Sequence, residues 1–79
     1  MSQIEKLVAK LKTRPPEATV GDVQKVLEAY GWELRRQNSS HMSFRKPGDS
    51  YVLTIATVSG KRVKTTYIDK VCEHLGLDD

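Results

Sequence analysis

A chain of 79 residues has room for one small hydrophobic core, and a hydrophobic fraction of 38% beside a charged fraction of 29% predicts a folded domain rather than a disordered chain. No apolar run approaches the ~20 residues of a bilayer-spanning helix, and the segment from Met1 to Lys6 lacks the basic-then-apolar layout of a secretion signal. The lone cysteine, Cys72, has no internal disulfide partner, so the expected setting is the reducing cytoplasm.

In chain order, Ser2 followed by Glu5 reads as a capping box, and Ile4, Leu7, Val8 and Leu11 recur at helical spacing until Pro15-Pro16 ends the helix. Thr19, three residues ahead of Asp22, caps a second helix whose apolar face is Val20, Val23, Val26, Leu27 and Tyr30, with Gly31 as its stop. The period then changes to two. Trp32 and Leu34 alternate with Glu33 and Arg35 in a strand that runs to about Gln37. Asn38-Ser39-Ser40 has turn chemistry, and a second strand alternates Met42 and Phe44 with His41, Ser43 and Arg45.

Pro47-Gly48-Asp49-Ser50 breaks that strand, and the stretch from Tyr51 to Val58, rich in β-branched residues, forms a third with Leu53 and Ile55 as its inward pair. After Ser59-Gly60-Lys61, Thr66 and Asp69 predict another cap. A last helix then carries Ile68, Val71, Cys72 and Leu75 and closes at Gly76. The predicted order is α-α-β-β-β-α. This is an α+β fold, a three-stranded antiparallel sheet with helices on one face, leaving the other face open to solvent. On that open face the alternation places His41, Ser43 and Arg45, joined by Glu33, Arg35 and Gln37.

The formal charge of +3 is unevenly distributed. Between Trp32 and Lys64 lie seven basic residues (Arg35, Arg36, Arg45, Lys46, Lys61, Arg62 and Lys64) against the two acids Glu33 and Asp49. Basic charge concentrated on one part of a fold is the footprint of a polyanionic partner, although composition alone fits a solvated face as well.

The run from Gly31 through Trp32, the Arg36-Gln37 pair and Ser40-His41 to the short apolar strand ending at Pro47 resembles the signature of HicA-type toxins. The later β-branched strand, the glycine with lysines and the final helix closing in Leu75-Gly76-Leu77 are similar as well. The resemblance covers roughly residues 17–77 of a single 1–79 domain, with residues 1–14 as an N-terminal extension helix. It implies a double-stranded-RNA-binding-like fold, a toxin ribonuclease that cleaves mRNA, and a cognate HicB-type antitoxin that holds it inactive. The family's catalytic histidine falls on His41. The family's glycine before Ser-His is Ser39 here. If that glycine adopts a positive φ, Ser39 cannot follow cheaply, whereas Asn38 tolerates it better, so a differently built turn is expected.

One histidine can cleave RNA without a metal, because the ribose 2′-hydroxyl is itself the nucleophile and an imidazole near neutral pH can take or give the proton. On that expectation Arg35, Arg36, Ser40, Arg45 and Lys46 hold the RNA, and Lys61 and Lys64 contribute from the following loop. The products would be a 2′,3′-cyclic phosphate and a 5′-hydroxyl. No metal or other cofactor is expected: Cys72 and His74 point in different directions on their helix, and the carboxylates near the basic segment are too few for a two-metal nuclease. Cys72 reads as core packing, and His74 as a cation at the negative end of the last helix dipole. The alternatives are a double-stranded-RNA-binding module without catalysis and a protein-interaction domain with a basic face.

Overall fold

The computed structural model describes residues 2–77. Met1 and residues 78–79, the ends of the expected 1–79 span, lie outside the described residues. The elements are α1 (Gln3–Lys12), β1 (Glu17–Thr19), α2 (Val20–Ala29), β2 (Glu33–Gln37), β3 (His41–Arg45), β4 (Val52–Ala56), β5 (Arg62–Lys64) and α3 (Thr65–Leu75). The fold is α+β, with three helices and a three-stranded antiparallel sheet in the order β2-β3-β4.

Both N-terminal helices start where their caps predict. The hydroxyl oxygen of Ser2 accepts from the Glu5 N–H at 3.2 Å, and that of Thr19 accepts from the Asp22 N–H at 3.2 Å, each satisfying one of the unpaired donors of a first turn. Helix α2 buries Val20, Val23, Val26 and Leu27 and stops at Tyr30, followed by Gly31 at φ +91°. At the far end of the chain Gly76 takes the left-handed conformation at φ +66°, and Leu77 donates back to the Cys72 carbonyl at 3.0 Å.

The start of α3 differs from expectation. Helix α3 begins at Thr65, one residue before the expected cap, and its N-cap, Lys64, makes no side-chain cap bond. Thr65 instead donates its hydroxyl to the Pro15 carbonyl at 2.6 Å and its N–H to the Pro16 carbonyl at 3.2 Å. A tertiary partner, the linker after α1, replaces the local cap.

The residues directly after that linker belong to an additional sheet. Strands β1 and β5 pair antiparallel, Glu17 with Lys64, Ala18 with Val63 and Thr19 with Arg62, and Ala18 and Val63 are both buried. The observed order is therefore α-β-α-β-β-β-β-α. Three-residue strands offer too short an alternation to register as a pattern.

Along β3 and β4 the period-two reading holds. Met42, Phe44, Leu53 and Ile55 are buried, whereas His41, Arg45, Val52 and Thr54 are exposed. The buried sheet residues join one cluster with Leu11, Val23, Val26, Leu27, Trp32, Val63, Ile68, Val71 and Cys72. Helix α1 participates through Leu11, only 1% exposed, whose carbonyl also accepts a hydrogen bond from the Cys72 thiol at 3.5 Å. Leu11→Ala should therefore destabilise the protein by about 2–5 kcal/mol, the usual cost of truncating a fully buried leucine. A urea titration would read this as a clear drop in midpoint; an unchanged midpoint would mean that α1 stands outside the cooperative core.

Candidate functional site

Strand β3 is central, paired with β2 on one side and β4 on the other. Burying Met42 and Phe44 turns His41, Ser43 and Arg45 to the opposite side. His41 opens the strand, opposite Ala56 of β4. Two residues on, Ser43 faces Thr54, their hydroxyl oxygens 3.4 Å apart.

The turn before His41 is closed by Asn38. Its side-chain oxygen accepts from the backbone N–H groups of both Ser40 and His41, each at 2.8 Å, and its own N–H donates to the His41 carbonyl at 2.9 Å. From the other side, Thr57 donates its N–H to the Ser40 carbonyl at 2.7 Å and its hydroxyl to the Ser39 carbonyl at 3.3 Å. Neither Asn38 nor Ser39 has a positive φ; among the described residues the non-glycine residues that do are Arg14 and Ser59. The turn therefore uses a left-handed residue at neither Asn38 nor Ser39. A side-chain acceptor organises the turn, so no glycine is needed and Ser39 carries no backbone strain.

Ser59, at φ +56°, and Gly60, at φ +68°, form a tight turn in which Lys61 donates to the Val58 carbonyl at 3.0 Å. This turn lies against the first: a Cβ on Gly60 would sit 3.7 Å from the Ser39 Cα. Two turns, 38–40 and 58–61, therefore flank the start of β3.

On β2 the expected face assignment changes. Glu33 pairs with Arg45 and Leu34 with Phe44, but the next pair is Arg36 with Ser43, then Gln37 with Met42. Arg35 is the extra residue of a β-bulge, and the register beyond it is shifted by one. Gln37 thereby moves to the level of buried Met42, and Arg36 takes its place opposite Ser43. Arg35 and Arg36 together line a cleft of about 440 Å³ with Ser43, Arg45 and Val52. A smaller cavity of about 210 Å³ is lined by Glu33, Arg35, Arg45, Pro47 and Gly48.

The charges of this face are sparsely neutralised. Arg35 meets Glu33 at 3.9 Å with both side chains about 60% exposed, a contact that contributes little in water. Arg45 donates its Nε to the Asp49 carbonyl at 3.3 Å. Among the described residues neither Arg36 nor Arg45 forms an ion pair.

The remaining candidates are dispersed. Ser40 is exposed in the Asn38 turn, and Lys61 sits in the turn packed against it. Lys46 follows β3 and folds over Gly31, its Cε 3.7 Å from where a Cβ on that glycine would be. Lys64 belongs to the other sheet, opposite Glu17, and does not join the arginine cleft. Cys72 is fully buried, its thiol donating to the Leu11 carbonyl. His74 occupies the last turn of α3, and it also stacks on Tyr51 with ring centroids 4.7 Å apart and packs edge-to-face with Trp32, centroids 6.5 Å apart. Nothing in the sequence links those distant aromatic positions. Among the described residues no three of His, Cys, Asp and Glu come together as a metal-binding group, and no helix is long and apolar enough to cross a membrane.

In comparisons with known proteins, the family model described as the HicA toxin of bacterial toxin–antitoxin systems matches residues 20–77, from the first residue of α2 to the close of α3. No curated protein and no solved structure gives a match.

The Asn38 turn yields a direct test. Asn38→Ala leaves the Ser40 and His41 N–H groups to solvent and should cost about 1 kcal/mol, within the usual net range for such bonds. Asn38→Asp keeps the acceptor and should restore most of it. Amide hydrogen exchange at His41 should accelerate in the alanine variant and stay slow in the aspartate one; equal protection in both would show that the side chain does not hold the turn.

Proposed function

Because the chain belongs to the HicA toxin family of bacterial toxin–antitoxin systems, we propose that it is a cytoplasmic toxin endoribonuclease that cuts mRNA at the exposed side of its sheet, with His41 as the general base or acid. Membership in this family implies a cognate antitoxin partner, and we propose a HicB-type protein that covers this side. In this reading residues 17–77 form the working domain on a double-stranded-RNA-binding-like plan, helices packed over the buried side of the sheet, and residues 1–14 extend it.

The observation that carries the reading is an exposed histidine at the head of the central strand, on the same side as an arginine cleft whose ion pair among the described residues, Arg35 with Glu33 at 3.9 Å, is exposed and weak. The RNA brings its own nucleophile. His41 takes the proton from a ribose 2′-hydroxyl, the 2′-oxygen forms a bond to the adjacent phosphorus, and the bond from phosphorus to the 5′-oxygen breaks. Solvent supplies the proton to that leaving oxygen. The 2′,3′-cyclic phosphate is later opened by water, or released as such. Arg35, Arg36 and Arg45 attract the backbone and offset charge on phosphoryl oxygens, with Lys46 and Lys61 at the margins. Ser40, beside His41 in the turn, contacts the sugar-phosphate chain. Nothing favours including Lys64, which lies on the second sheet.

Two results would follow. Purified protein should cleave a messenger-length RNA in chelator, and His41→Ala, with an unchanged circular dichroism spectrum, should cleave it about 10²- to 10⁴-fold more slowly, the range that one acid–base group contributes. Equal cleavage by both would remove His41 from the chemistry, and RNA binding without cleavage by either would leave a binding module. Separately, Arg36→Ala should weaken RNA binding and flatten the slope of log affinity against log salt by about one unit, as loss of a single phosphate contact does. An unchanged slope would place the RNA elsewhere.

A further inference from the structure

The two cavities on β2 and β3 share Arg35 and Arg45 but differ in chemistry. The larger adds Arg36 and the Ser43 hydroxyl, so its charged groups are all hydrogen-bond donors. The smaller adds the Glu33 carboxylate, which accepts only, together with Pro47 and Gly48. A cleft whose charged groups all donate matches a phosphate. A neighbouring pocket with a carboxylate and guanidinium groups on its walls matches the edge of a heterocycle that both donates and accepts.

We propose that these cavities together form a subsite for one nucleotide of the RNA, selective for guanine. The phosphate lies among Arg35, Arg36 and Arg45, and the base enters the Glu33 pocket. This rests on the RNA-cleaving reading and adds to it a specificity determinant, Glu33, that lies away from His41. Arg45 is four residues along β3 from His41, about 13 Å at the ~3.3 Å rise of a strand, so the subsite reads a nucleotide beside the cleavage position rather than the one cut.

Guanine follows from the donor and acceptor pattern. Its O6 and N7 accept a forked pair from a guanidinium, the commonest specific contact between arginine and a base. Its N1–H and exocyclic amino group are two adjacent donors, which a carboxylate takes with its two oxygens. Adenine and cytosine offer one amino group beside an acceptor nitrogen, and uracil offers one N–H between two carbonyls, so none presents that adjacent pair.

The size fits too. At about 210 Å³ the pocket falls below the ~300–1,000 Å³ of sites for drug-sized ligands and suits one planar ring system. Pro47 provides a rigid apolar wall, and beside Gly48, at φ +87°, nothing stands within 4 Å of a would-be Cβ, so that side of the pocket is unobstructed. The Glu33–Arg35 contact at 3.9 Å is exposed and weak, so an incoming base displaces it at little cost. The bulge is what makes the site: strict alternation would send Arg35 and Arg36 to opposite sides of the sheet.

Mononucleotides test this without any cleavage. In amide NMR titrations of the intact protein with GMP, AMP, CMP and UMP, GMP should bind about tenfold or more tightly than the others, in line with one good bidentate base contact. Its shifts should centre on residues 33–36 and 45–48. Glu33→Gln should bring the GMP affinity down to that of AMP, and Arg36→Ala should weaken all four. Equal affinities, shifts centred elsewhere, or no binding by any nucleotide would overturn the proposal. Guanine selectivity in a protein that cuts no RNA would sink the nuclease reading and leave the subsite standing; His41-dependent cleavage without nucleotide selectivity would do the reverse.

Discussion

The burial of Met42 and Phe44 on the central strand is the constraint from which the exposed side follows. Both side chains are at most 2% exposed and belong to the core that the helices share, and Leu53 and Ile55 repeat the pattern on β4. Because successive side chains of a strand point to opposite sides, this burial delivers His41, Ser43 and Arg45 to solvent together. A slip of one residue would exchange the two sets, burying an imidazole and a guanidinium without partners and exposing a phenyl ring. The polar arrangement is thus held by hydrophobic free energy rather than by contacts among the polar groups, which among the described residues are few and long.

Two local irregularities then shape that side. The bulge at Arg35 shifts the β2 register, and Arg35 and Arg36 line one cleft where regular pairing would have separated them. The Asn38 turn fixes the backbone of His41 from below while leaving its side chain exposed. Cations held close together with only one long, exposed counter-charge, Glu33 at 3.9 Å from Arg35, repel each other, a modest cost to the folded state that an incoming polyanion relieves. The same property suits the face to any ligand rich in negative charge. The proposed RNA substrate and the cognate antitoxin that the family implies would both meet this surface.

Much of this could be read from the residues. Ser2 and Thr19 marked helix starts, Gly31 and Gly76 marked ends, and the alternation around Met42, Phe44, Leu53 and Ile55 gave two strands with the correct side inward. What escaped has physical reasons. Past Leu34 the β2 sequence is Arg-Arg-Gln, polar throughout, so no apolar residue signals the shifted register that moves Gln37 to the other side. The β1–β5 pair is too short to show a period, and its partners are far apart in sequence. Asn38 was legible as a turn residue, but acceptance of two N–H groups by one oxygen depends on three-dimensional closure. The Tyr51–His74 stack joins a loop to a helix end, which only the fold brings together. His41 itself stood out by resemblance; from periodicity alone it was an exposed histidine like many others.

In the proposed reaction the substrate's own 2′-oxygen is the nucleophile, and a single-atom change in the RNA tests that most directly. A messenger RNA is first cut to map one strong cleavage position, and the same RNA is then prepared with a 2′-deoxyribose at that nucleotide alone. Cleavage there should disappear while neighbouring sites are still cut, and the ends formed on the unmodified RNA should be a 2′,3′-cyclic phosphate and a 5′-hydroxyl. Undiminished cleavage at the deoxy position, or ends bearing a 3′-hydroxyl, would contradict the mechanism.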